Sequence, residues 1–105
     1  MSNRTVLIRT DASGDFVYER PFAGEVRAFQ VTLGELVSGC SVRIEDADNG
    51  SVVFDDVIVA DGIYTAAPDS GFPAVNGPFV IGTLRVTVAN GGDTKSGSVR
   101  ILTKT

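Results

Sequence analysis

Gly82-Thr-Leu-Arg-Val-Thr-Val-Ala-Asn90, Gly91-Gly-Asp-Thr-Lys-Ser-Gly97 and Ser98-Val-Arg-Ile-Leu-Thr-Lys-Thr105 follow one another without interruption, and their reading decides the fold. Leu84, Val86 and Val88 alternate with Arg85 and Thr87. Beyond Gly91-Gly92, Val99 and Ile101 alternate with Ser98, Arg100 and Leu102. Residues two apart on a strand share a face, so this period buries one side of each strand and wets the other. Two such runs about a Gly-rich turn predict a half-buried antiparallel hairpin, and with it an all-β chain.

Working outward, the same period recurs. Residues 5–10 predict a first strand with Val6 and Ile8 on one face. Residues 15–20 predict a second, with Phe16 and Tyr18 opposite Val17. Pro21 cannot donate to a ladder, so this strand is expected to stop there. Residues 25–33 predict a third strand, whose alternation changes phase between Ala28 and Phe29, as at a β-bulge. Residues 40–46 and 51–59 flank Asn49-Gly50, the favoured pair of a two-residue type I′ turn. Val42 and Ile44 should then share a face with Val52 and Phe54. A further strand covers about 79–89. The only helical candidate is a single turn near 33–37. Short strands at this spacing, seven to eight in all, imply an antiparallel β-sandwich or small barrel. All 105 residues form one domain, with a long loop at 60–78 that holds three of the four prolines.

Composition narrows the function. A net charge of −4 argues against a nucleic-acid partner, which calls for a basic face. The basic residues are scattered, so no membrane patch stands out. The longest apolar run, Val57 to Ala60, falls far short of the ~20 residues of a membrane helix. No signal-peptide core is visible near the start, so synthesis and retention in a cytoplasm are expected. Mean hydropathy is +0.17. A Val-rich core accounts for that value, and so does burial against other subunits.

The chemistry of catalysis is sparse. Histidine is absent, which removes the usual triads and most zinc sites. Cys40 is the single cysteine and reads as a small buried hydrophobe. Gly91-Gly92 joins two strands, whereas a phosphate loop opens a helix. Asp46, Asp48, Asp55, Asp56 and Asp61 gather around Asn49-Gly50. Oxygen ligands suit Ca²⁺, but the later glutamate and flanking helices of an EF-hand are missing, so these read as solvated turn acids. Tyr18, Tyr64 and Phe72 are the rings available to stack on a sugar, though core or interface packing suits them better. The expectation is a non-enzyme with no cofactor and no metal.

Residues 22–31 (Phe22-Ala23-Gly24-Glu25-Val26 onward), the Val42-Arg43-Ile44 strand with its Gly50 turn, and the Gly82 to Gly92 segment together resemble small virion structural proteins of tailed bacteriophages. These are β modules often encoded near the major capsid protein. The resemblance implies a virion location and a capsid decoration, or cement, role that bridges and stabilises neighbouring capsid subunits. A head-to-tail connector or collar component, or a carbohydrate- or receptor-binding β module, are the alternatives. The implied partners are a major capsid or connector protein and further copies of the chain, with neither nucleic acid nor membrane. The expected contact residues are Arg4, Val6 and Leu7 in the N-terminal arm, and Ile63, Tyr64, Phe72 and Val75 in the long loop.

Overall fold

The computed structural model describes residues 3–48, 50–65 and 79–103, the side chains of Thr65 and of residues 79–81 excepted. Its strands are β1 (Arg4–Arg9), β2 (Phe16–Thr32), β3 (Cys40–Asp46), β4 (Val52–Ile58), β5 (Gly62–Thr65), β6 (Phe79–Ala89) and β7 (Ser96–Thr103). Every ladder is antiparallel. No helix occurs among the described residues, and the 33–37 segment is a turn closed by Leu36 N–H on the Leu33 carbonyl at 2.8 Å. The hydrogen-bonded path runs β1-β7-β2-β6-β3-β4, with β5 also on β2. This is an antiparallel β-sandwich.

β2 makes it one. Its first part, Phe16 to Glu25, pairs among the described residues only with β6. Its second part, from Val26, lies between β7 and β5. Sheet I is therefore β1-β7-β2-β5 and sheet II is β2-β6-β3-β4. The strand passes from one to the other near a register shift between Val26 and Ala28, where a bulge bends it. The expected break at Pro21 does not occur. Pro21 sits opposite Thr83 on the open edge of sheet II, where the missing N–H costs no ladder bond. Its carbonyl instead accepts the Arg4 Nη1 at 2.8 Å, which ties β1 back to β2.

The expected β6–β7 hairpin is also overturned. β6 pairs with β2 and β3, whereas β7 pairs with β1 and β2. The Asn90 to Lys95 turn leads from sheet II to sheet I. Alternation had located the inward faces: Leu84, Val86, Val88, Val99 and Ile101 are all buried. It does not say whether two inward faces lie side by side or look at each other across a core. The turn is held open by neighbours. Thr10 Oγ1 donates to the Gly92 carbonyl at 2.6 Å, Lys95 N–H donates to Thr10 Oγ1 at 2.8 Å, and Val37 N–H donates to the Gly91 carbonyl at 3.0 Å.

The β3–β4 hairpin is present, with a different turn. Asn49 lies outside the described residues. Gly50 has a φ of +77° and its N–H donates to the Asp46 carbonyl at 2.8 Å, while Asp46 N–H donates to Ser51 O at 2.9 Å. A wider loop thus replaces the two-residue turn. Asp46 Oδ1 accepts Asp48 N–H at 3.0 Å, and Ala47 N–H reaches the Thr83 carbonyl at 2.8 Å, which anchors the loop on β6. The register shifts between Ile44 and Glu45, so Val53 rather than Val52 is buried beside Phe54.

One apolar core lies between the sheets. Phe29 from sheet I meets Phe54 from sheet II at 5.4 Å between ring centres, and Phe54 meets Tyr64 at 5.8 Å. Each large side chain buried there contributes roughly 1.5–3 kcal/mol before conformational entropy is counted.

Candidate protein interface

The expected contact residues divide by strand geometry. Val6 is 0 % exposed and points into the core, so its place among the contacts is corrected. The period-2 rule that puts Val6 and Ile8 inside puts Leu7 outside, and Leu7 is 77 % exposed. Arg4 packs on its own molecule. Besides the bond to Pro21, its guanidinium lies 5.0 Å from the Phe22 ring centre. Tyr64 folds back as well, its ring on Phe54 and its hydroxyl donating to the Ala60 carbonyl at 2.6 Å. Ile63, the neighbour with opposite facing, is 68 % exposed. Phe72 and Val75 lie outside the described residues. Of the loop's described residues, 60–65, Gly62–Thr65 form strand β5.

Leu7 and Ile63 share the outer face of sheet I. Leu7 pairs with Ser98, which pairs with Thr32, and Thr5, Arg100, Gln30 and Ile63 form the adjacent row. The two apolar side chains stand on opposite edge strands, which lie about 14 Å apart at ordinary strand spacing. Between them lie Ser98, Arg100, Thr32 and Gln30. Arg9 and Arg100 escaped sequence reasoning as contact candidates, although alternation had already turned Arg100 outward.

The outer face of sheet II is different in kind. Glu19 meets Arg85 at 3.2 Å, Arg85 meets Glu45 at 3.4 Å, Glu45 meets Arg43 at 3.5 Å, and Arg43 meets Asp55 at 3.8 Å. The row crosses all four strands because Glu19, Arg85 and Glu45 are direct cross-strand partners, as are Arg43 and Asp55. The bond and charge of Glu19, reinforced by Glu45, push the Arg85 guanidinium above its ordinary value. Glu45 is 8 % exposed and lies between two cations. This face satisfies itself.

The acids that neighbour one another in sequence disperse in space. Asp46 is buried under the β3–β4 loop, and Asp55 reaches Arg43. Asp61 Oδ1 accepts Leu33 N–H at 2.8 Å at the β4–β5 corner. Among the described residues no three of them gather as metal ligands, and no pocket is formed. Cys40 is buried, and desolvation pushes its thiol up, away from the reactive thiolate. Tyr18 packs beside the core with Phe16. Among the described residues no helix is long and apolar enough to cross a membrane.

The chain matches no protein-family model, no curated protein and no solved structure.

Proposed function

We propose that this chain is a structural protein of a tailed-phage virion, a decoration protein that bridges neighbouring capsid subunits through the outer face of sheet I. The virion reading rests on the resemblance in strand-and-turn pattern, and the observation that supports a contact surface is that Leu7 and Ile63 stand out at 77 % and 68 % exposure on one sheet face. Covering such side chains yields about 25 cal/mol per Å² of apolar area. Contacts that are modest singly become strong when many copies engage one lattice. The role is mechanical, and the chain's own residues supply contact area rather than chemistry.

The test is sedimentation of the purified protein with phage capsids that lack it. Saturable binding at many copies per capsid supports decoration, and saturation at a few copies points to a connector or collar. A protein carrying Leu7→Ser with Ile63→Ser should melt like the wild type and lose capsid binding. Failure of the wild type to bind any such capsid overturns the reading.

A further inference from the structure

The two sheets carry opposite charge. The strands of sheet I, with β2 taken from Val26, hold Arg4, Arg9, Arg27 and Arg100 and no carboxylate. Those of sheet II hold Glu19, Glu25, Glu45, Asp46, Asp55 and Asp56 against Arg20, Arg43 and Arg85. The contrast is sharpest at the two ends of the hydrogen-bonded path. β1 pairs only with β7, and β4 only with β3, so each keeps one edge open among the described residues.

At the β1 end, Leu7 is flanked by Arg9 two residues along and by Arg100 on the adjacent strand. Arg9 makes one long bond, 3.4 Å to Ser96 Oγ. Neither arginine has a carboxylate within ion-pair distance among the described residues. At the β4 end, Asp55 and Asp56 are both exposed, beside Val57 at 53 % and Val59 at 66 %. Asp55 reaches Arg43 only at 3.8 Å, and Asp56 caps its neighbour, accepting Val57 N–H at 2.8 Å. The strands match in length, six residues in β1 and seven in β4.

We infer that these ends are the two halves of one contact. Copies of this chain add head to tail, with the β1 end of one on the β4 end of the next. In an antiparallel register Arg9 then faces Asp55 and Leu7 faces Val57, while Arg100, one strand behind the edge, and Asp56, on the opposite face beside Val42, add complementary charge to the two ends. A two-fold pairing of like ends sets arginine against arginine or aspartate against aspartate, and such juxtapositions are strongly disfavoured. A head-to-tail contact leaves one end of each kind free on every dimer, so growth closes into a ring or continues as a filament. The contact goes beyond the capsid reading and does not rest on it.

Light scattering over a concentration series tests it. The wild type should exceed the 11.0 kDa of one chain at about 0.1 M salt. Association should weaken about tenfold in 1 M salt, where the screening length falls to roughly 3 Å. Arg9→Glu with Arg100→Glu should be monomeric, and so should Asp55→Lys with Asp56→Lys. Mixing the two variants should restore the assembly, because each then offers the other a complementary end. Melting curves like the wild type's establish that the variants are folded. A wild type that stays monomeric at every concentration overturns the inference. So does association indifferent to salt, or a mixture of folded variants that stays monomeric. Self-assembly without capsid binding keeps this contact and removes the capsid reading, and capsid binding by a permanent monomer does the reverse.

Discussion

Sheet I and sheet II are built from the same period and face the same core, yet their outer surfaces have little in common. Sheet II is laced by an alternating row of five charged side chains that runs strand to strand from Glu19 to Asp55. Sheet I shows water a leucine and an isoleucine, with Arg9 and Arg100 that meet no carboxylate among the described residues. The inward positions of a sandwich answer to packing. The outward ones are free to differ, so a difference there carries information about use. The middle of sheet II neutralises its own charges and leaves only its β4 end for a partner, whereas sheet I has apolar area and cations with no carboxylate among the described residues of its strands.

The severest way to break the comparison is to remove what the sheets share. Phe29 is buried on the strand that belongs to both, against Phe54. Phe29→Ala should cost about 3–5 kcal/mol, with amide protection lost from both sheets in one transition. Protection surviving in one sheet alone would show two separable units. Next in size is an insult confined to sheet I. A Cβ on Gly97 would stand 2.6 Å from the Leu33 carbonyl, so Gly97→Ala should destabilise by about 1–3 kcal/mol in chemical denaturation.

Smaller again is the ionic row. Glu45→Gln leaves Arg43 and Arg85 facing a neutral group, at a cost of about 1 kcal/mol that shrinks as salt rises. A variant as salt-sensitive in its melting as the wild type would mean the row contributes nothing. Smallest is Arg100→Gln on sheet I, which should stay within about 0.5 kcal/mol at any salt, because no carboxylate among the described residues pairs with it. A larger loss would place Arg100 in the fold rather than at a contact.

Much of the sandwich was legible. The inward sets Val6/Ile8, Val42/Ile44, Leu84/Val86/Val88 and Val99/Ile101 all follow from alternation, because burying one face of a strand leaves a period of two in the chain. Pairing was not legible. Alternation is the same for strands that are neighbours in a sheet and strands that oppose each other across a core, so the Gly91-Gly92 turn passed for a hairpin. Pro21 misled because its cost depends on whether the strand has one neighbour or two, which is settled by β6 far along the chain. At the surface, Leu7 and Ile63 were recoverable, while Val6 was set beside Leu7 against the rule that separates them. The significance of Arg9 and Arg100 rests on the carboxylates of the described residues lying away from them, and only the folded chain reveals that.

The position of β7 between β1 and β2 has a consequence during synthesis. The first two strands to be made are kept apart by the last, so sheet I cannot assemble while the chain is still growing toward Ser96. Until β7 is available, Val6, Ile8, Phe29 and Val31 lack part of their cover, and two strand edges stand ready to pair with the wrong chain. Arrival of β7 closes both gaps at once, so sheet I gains its protection in a single step, after every other strand of the sandwich has been made.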